Sequence, residues 1–500
     1  MATSSVKTVS TAIDDLPCGS PEPEDLHGPV RRYPLPEGIT EGRLLRDITL
    51  IALPSLVELV LTQLTSMADQ IMVGRLPGEE GITALAAVGL AAQPKFLLMT
   101  MIQALNIGAT ALIARFRGQQ DRLKANRVFK QAMVLNFIIS FLFMLLGLGA
   151  ARPLILFMSG GSGQISGATV DAGVTYLVIQ MYGFIPLCAG FTVTAALRGI
   201  GETRIPLFYN TAANVINLFL NYVMIYGHLG CPKMGVAGAA IATVIGQTAA
   251  FLMAMLTVLG GRRYIHLDFR DRFSFDWPLI RSLAEIGVPS MVEQLFMRAG
   301  IIIYTRTVAG LGDLMYATHQ VLMSIQAMTF MMGQAFASSA TTLMGQSIGK
   351  GRFDMAVIYM RRTRNLGMSI SAVMAVLIII FRRQLIGLYN ETPEVIALGA
   401  DILFLLAFSQ PFQTDQFITS GGLRGAGDTR YTALVIAVTV LGVRSGLGLL
   451  TVRVLDWSLW GAWIALLADQ MLRTVLMILR YNSGKWKSIA TARFAGADEA

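Results

Sequence analysis

The sequence predicts an all-α membrane protein of twelve transmembrane helices, built as two parallel six-helix repeats. Three observations carry this. Mean hydropathy is +0.58 over 500 residues, with 54% hydrophobic and 14% charged residues, too apolar for a soluble chain of this length. Weakly charged stretches long enough to cross about 30 Å of hydrocarbon as helices of roughly 20 residues recur along the chain. Landmarks of the first half also return, in order, in the second. The apolar runs are continuous and do not alternate with period two, which excludes transmembrane strands.

Residues 1–46 lead in; 1–42 are rich in Ser, Pro, Glu and Asp, lack an apolar core of signal-peptide length, and read as a mostly disordered tail. The first helix, 47–74, carries PSLVE (54–58), and the second, 84–114, runs into ATALIARFRG (109–118). The third, 129–151, contains the uncharged QAMVLNFIISFLFMLLGLGA. The fourth, 170–197, ends in the octapeptide LRGIGETR (197–204). The fifth, 205–227, carries NLFLNY, and the sixth, 235–259, opens on small residues. A polar, basic linker, 260–278, separates this N-lobe (47–259) from a C-lobe (279–481). There the seventh helix, 279–309, carries PSMVE (289–293) and the eighth, 315–348, runs into ATTLMGQSIG (340–349). The ninth (356–381) and tenth (394–422) precede LRGAGDTR (423–430). The eleventh (430–452) and twelfth (458–480) complete the set, and 482–500 reads as a second cytoplasmic tail.

The three repeated landmarks are offset by 235, 231 and 226 residues, the drift expected when loops are trimmed between two copies of one unit. An even number of helices per copy makes the repeats parallel, with a shared cavity between the halves and rocking of two bundles as the route to alternating access. With both termini cytoplasmic, the five inner loops hold twenty Lys and Arg and the outer loops six, the bias that orientation requires. The net charge of +9 therefore belongs to membrane-flanking loops facing lipid headgroups, not to a nucleic-acid surface. Cys18, Cys188 and Cys231 are scattered, with neither disulfide nor zinc spacing. In the octapeptides, Arg198 and Arg424 can snorkel, the glycines allow a sharp exit, and Thr203 and Thr429 can cap the next helix. A membrane-edge turn and a cytoplasmic gate contact both fit.

Several stretches, in order and over essentially all of 47–481, resemble the multidrug and toxic compound extrusion (MATE) family. They are the two LRGxG(E/D)TR turns, MADQIMVGRL (67–76), ALAAVGLAAQ (84–93), GVAGAAIATVIGQ (235–247) and YATHQV (316–321). The resemblance implies a two-lobe antiporter that exports organic, often cationic, compounds in exchange for Na⁺ or H⁺. No other cofactor is expected.

Acids inside apolar spans are the informative residues, since a mid-membrane carboxylate costs several kcal/mol unless hydrated, paired or protonated. Glu58 and Asp69 share one face of the first helix, about 16 Å apart along its axis. Asn217 and Asn221 stack at i, i+4 on the fifth, as interhelical glue or as ligands. Similarity to the NorM type places a cation site at Asp69, Asn217 and Asn221, hard-oxygen chemistry suited to Na⁺, with an acid that can instead take a proton. The C-lobe breaks the symmetry. Glu293 repeats Glu58, but Tyr304 stands where Asp69 would recur; Gln413 replaces the acid the resemblance leads one to expect on the tenth helix, with Asp415 two residues on. Glu293 and Arg298 read as a structural ion pair or as an acid poised for proton exchange. Asp415 is a further candidate for coupling or substrate contact. His319 reads as an interhelical hydrogen-bonding group or a proton sensor. Arg444 and Asp469 are a potential pair within or between the lobes.

No nucleotide loop, nucleophile elbow or metalloprotease motif is present, so an enzyme is not expected. The leading expectation is a cation-coupled antiporter, monomeric, embedded among lipids of a bacterial inner membrane and acting on small organic molecules. The alternative is a flippase for lipid-linked saccharides, which would want cationic side chains such as Arg298, Arg306 and Arg444 in its cavity.

Overall fold

A computed structural model describes residues 11–19, 28–77, 79–158, 166–261, 263–267, 274–389 and 393–498. Parts of the expected tails and linker (1–10, 20–27, 262, 268–273, 499–500) lie outside the described residues. The described chain is helical, without a strand. The first half contains α1 (Glu41–Gly74), α2 (Glu79–Gly118), α3 (Arg122–Gly149), α4 (Ala151–Met158), α5 (Gly167–Tyr182), α6 (Phe184–Gly199), α7 (Arg204–Tyr226) and α8 (Gly235–Leu259). The second contains α9 (Trp277–Ala309), α10 (Asp313–Gly349), α11 (Phe353–Ile380), α12 (Arg382–Gly387), α13 (Pro393–Gly425), α14 (Thr429–Ile436), α15 (Ser458–Asn482) and α16 (Lys485–Asp498).

Eight helices are long and apolar enough to cross a membrane, and the bent pair α5/α6 makes nine. With α1, α7 and α10 the total among the described residues is twelve. Those three fall short on apolarity because they carry side chains that lipid would not tolerate: Glu58 and Asp69 on α1, four asparagines on α7, and His319 with several Gln, Ser and Thr on α10. Such helices belong in a membrane only with their polar faces turned to protein or water.

The fourth span is not the single helix expected. It breaks at Gly183 with a bend of 51°. Pro186 supplies no N–H in the first turn of α6, and a Cβ at Gly183 would meet Val244 at 2.7 Å, so the break is also where α8 packs closest. The eleventh span continues from α14 through π-helical turns at Ala437–Leu447 and Leu450–Val454. The stretch after 482 also departs from expectation by forming α16. Its Trp486 is fully buried, stacks on Tyr481 with centroids 5.9 Å apart and donates from Nε1 to the Tyr481 carbonyl at 3.1 Å.

The chain forms two compact units. The first holds Val57–Ala109 and Arg122–Leu283. One of its cores gathers Ile102, Ile155, Leu177, Met181 and Phe184; another gathers Val73, Leu76, Ile225 and Ala239. The second unit holds residues from 11 to 56, Thr110–Asp121 and everything from Ala284 onward, with a core around Leu322, Leu403, Leu406, Trp463 and Leu466. The first turns of α1 and the last of α2 are thus packed in the second unit. There the C-terminal ends of α2 and α10 cross at equivalent glycines: a Cβ on Gly118 would strike the carbonyl oxygen of Gln346, and one on Gly349 that of Arg115. Residues 115 and 346, like 118 and 349, are separated by the repeat offset of 231.

Each octapeptide folds as a glycine-terminated helix end. Gly201 and Gly427 have φ of +87° and +85°, left-handed values that favour glycine. The N–H groups of Glu202 and Asp428 reach back to the carbonyls of Leu197 and Leu423 at 2.9 and 2.8 Å. The side-chain caps expected of Thr203 and Thr429 are not formed at the starts of α7 and α14.

Candidate cation site

In the first unit α1 and α7 lie side by side in a register that can be read from their hydrogen bonds. Asn210 Nδ2 donates to Glu58 Oε1 at 2.8 Å, Asn214 Nδ2 to Thr62 Oγ1 at 3.5 Å, and Asn221 Nδ2 to Asp69 Oδ1 at 2.5 Å. Every pair is separated by 152 residues. On α1 the polar positions are Glu58, Thr62, Thr65 and Asp69; on α7 they are Asn210, Asn214, Asn217 and Asn221. Both follow i, i+4, i+7, i+11, the spacing that keeps one narrow stripe of a helix facing a neighbour. The two stripes meet as a polar seam with an acid at each end.

At the end nearer Gly74, the half-buried Asp69 meets the buried Asn217 and Asn221. The Asn217 amide is satisfied in one of its two orientations. In that one its nitrogen donates to Asp69 Oδ1 at 3.1 Å and its oxygen accepts from the Thr243 N–H at 3.2 Å. In the other its nitrogen donates to Thr243 Oγ1 at 3.4 Å, and its oxygen turns toward the carboxylate. The first satisfies a bare carboxylate; the second suits a cation shared between carboxylate and amide oxygen. The Oδ1 of Asn221 is buried without a donor, an acceptor left over at the same place. Thr243 is a participant the sequence reading missed, as are Asn210, Asn214, Thr62 and Thr65. The α7 spacing was visible in the letters, but only its last two asparagines stood out.

At the octapeptide end, Glu58 is buried, and its Oε1 also accepts from the Arg198 guanidinium at 2.9 Å, while Oε2 has no partner. In the second unit the equivalent Glu293 pairs with Arg424 and accepts from Thr432 Oγ1 at 3.0 Å. The partner that secures Glu293 is therefore the octapeptide arginine, 131 residues away, rather than Arg298 on its own helix, where a five-residue spacing stacks poorly. The octapeptide acids are fixed too: Glu202 to Arg263 at 3.1 Å and Asp428 to Arg480 at 2.7 Å. Each octapeptide is a double clamp: the first ties the end of α6 to α1 and to the segment after α8, and the second ties the end of α13 to α9 and α15.

The remaining candidates sit in the second unit. Asp415 is held by both nitrogens of one edge of Arg364, at 2.5 and 2.9 Å. Asp469 is fully buried between Arg444 at 2.6 Å and Arg473 at 2.5 Å, which settles Arg444 and Asp469 as a pair within one unit. His319 is buried against the rings of Tyr304 and Trp463, with centroids 5.5 and 5.8 Å away. Among the described residues no group of three His, Cys, Asp or Glu forms a metal cluster.

Comparison with known proteins agrees with this architecture. The MatE family model matches residues 54–223 and 289–449, one block in each repeat. The chain is 28% identical over 433 residues to the uncharacterized transporter YisQ of Bacillus subtilis, covering 87% of this chain and 93% of that one. It is 26% identical over 445 residues to the probable multidrug resistance protein NorM of Thermotoga maritima, covering 89% and 94%. A solved structure described as the outward-facing conformation of a multidrug resistance MATE family transporter superposes with a TM-score of 0.80 at 21% identity, over 91% of this chain and 99% of that one. A MOP superfamily transporter from Pyrococcus furiosus does so equally, with a TM-score of 0.80 at 22% identity. Two matched blocks, one per repeat and together spanning most of both, make this chain a member of the MatE family, the multidrug and toxic compound extrusion transporters of the membrane.

Proposed function

We infer that the protein is a cation-coupled antiporter that exports organic, mainly cationic, compounds by alternating access, with Asp69 as the group that takes Na⁺ or H⁺. The observation that carries this is the Asp69 site itself. A half-buried carboxylate inside a membrane helix meets two buried asparagines and an acceptor without a donor. Such a group is costly to keep in a membrane without a use. Binding a cation there favours one conformation over the other, and by linkage weakens the hold on an organic cation in that conformation.

The clamped arginines weigh against the flippase reading, because Arg444 is spent on Asp469 and is not free to hold a pyrophosphate. We place the octapeptide end of the helices at the cytoplasmic face of the cell membrane, following the excess of Lys and Arg in the adjoining loops. The protein works as a monomer, surrounded by lipid.

The test is an equilibrium one. In detergent, a bound organic dye cation is displaced by raising Na⁺ or by lowering pH, and Asp69→Asn abolishes the displacement by whichever ion acts. Displacement unchanged in that variant would remove Asp69 from the coupling site.

A further inference from the structure

The polar seam has an internal control. Adding the repeat offset of 235 to Glu58, Thr62, Thr65 and Asp69 gives Glu293, Met297, Gly300 and Tyr304; adding 226 to the four asparagines gives Ile436, Val440, Val443 and Leu447. The second unit packs this equivalent seam directly, since a Cβ at Gly300 would strike Val440 Cγ1. Two copies of one helix pair therefore exist in one chain, polar in the first and almost wholly apolar in the second. Packing does not require the polar version. An interhelical hydrogen bond in lipid adds only modestly to helix association, and the second copy packs without the amides of the first.

The seam also differs from its twin at the shared acid. Both oxygens of Glu293 are used, one by Arg424 and one by Thr432. Glu58 has the matching arginine on Oε1 but nothing on Oε2, which is buried. Position 206, equivalent to Thr432, is Pro206 and offers no hydroxyl. Between Glu58 and Asp69 the seam is open, with Thr62 exposed and Asn214 half-buried, while the Glu58 end is buried. Oxygens line it for about 16 Å, eleven residues of helix.

We propose that Glu58 is a second station for the coupling cation, reached from Asp69 along this seam, and that Arg198 is the tethered cation that displaces it there. This rests on the reading of Asp69 as the first station. When a cation arrives, Glu58 exchanges its arginine for it, with Oε2 and Asn210 ready at the site. When Arg198 returns, the cation leaves at the octapeptide end. The Glu58 pair with Arg198 is then the cation-free state of the station. In the second unit the Arg424 pair stays shut, because Glu293 has no spare oxygen and the seam behind it no polar groups.

The experiment compares two readouts in Glu58→Gln. One is equilibrium displacement of dye by cation in detergent, which reports the first station; the other is gradient-driven net export in proteoliposomes, which needs both. Displacement is expected to persist while net export falls by about tenfold or more, within the range of site-to-site coupling. Loss of displacement in Glu58→Gln would overturn the second station by making Glu58 part of the first, and would fail the Asp69 reading as well only if Asp69→Asn left displacement intact; displacement retained with export at the wild-type rate overturns the second station alone. The double variant Glu58→Gln with Arg198→Gln also removes the guanidinium that the single variant separates from its carboxylate, so it separates coupling from folding. It is expected to be monodisperse and still uncoupled, and a return to wild-type export would reduce the pair to a structural clamp and overturn the proposal.

Discussion

At the scale of single residues, a charge buried in this protein is defined by what remains when its partner goes. Asp469 is the clearest case, fully buried between Arg444 and Arg473, the latter also donating from Nε to Thr439 Oγ1 at 3.1 Å. Replacing it with Asn leaves two guanidiniums without a counter-charge, a loss of about 3–5 kcal/mol for a broken buried pair. Asp469→Asn is expected to lower the thermal midpoint in detergent sharply, read by size-exclusion fluorescence after heating. Arg364 is part-exposed beside Asp415, so Asp415→Asn should lower it far less. Equal shifts would mean that burial does not set the cost. Sequence reading identified Asp469 and Arg444 without being able to pair them across helices, and it missed Arg473, whose spacing of four residues from Asp469 stacks the two on one helix. Glu293 shows the same limit: its nearest base in sequence is Arg298, and the arginine that pairs with it lies on another helix.

At the scale of elements, the twelve spans were legible because apolar length is a local property. The break at Gly183 was not, since a glycine and a proline in an apolar run read equally as a continuous helix, and the deciding contact with Val244 is tertiary. The helical form of α16 was not legible for a similar reason: its sequence is mildly polar, and the burial of Trp486 that holds it is tertiary. The seam between α1 and α7 lies between these cases. Its spacing is in the sequence, yet its meaning came from the constant register of the hydrogen bonds. Making the middle of the seam resemble its twin, with Thr62→Val and Asn214→Leu, removes both members of a long hydrogen bond. Removing a polar pair together is nearly neutral for stability. The double variant is therefore expected to keep the wild-type thermal midpoint while its gradient-driven export falls. Unchanged export would show that the seam is only packing.

At the scale of the whole molecule, the duplicated landmarks gave the repeat, and the family model matches the two halves as separate blocks. The duplication also made the asymmetry readable, with polar chemistry retained at one seam and deleted from the other. The proposed orientation rests on the loop charges and can be checked with the native thiols, since Cys18 is exposed and Cys231 half-exposed and the proposal assigns them to opposite faces of the membrane. In intact cells a membrane-impermeant thiol reagent is expected to label Cys231 and to reach Cys18 only after lysis; the reverse pattern would invert the topology. We infer that coupling at Asp69 drives the whole molecule. Its most direct test loads proteoliposomes of the wild type and of Asp69→Asn with an organic dye cation and imposes Na⁺ and proton gradients separately. Coupling at Asp69 requires that one gradient drive dye across the wild-type membrane and that neither do so for the variant. Equal gradient-driven movement by both proteins would contradict it.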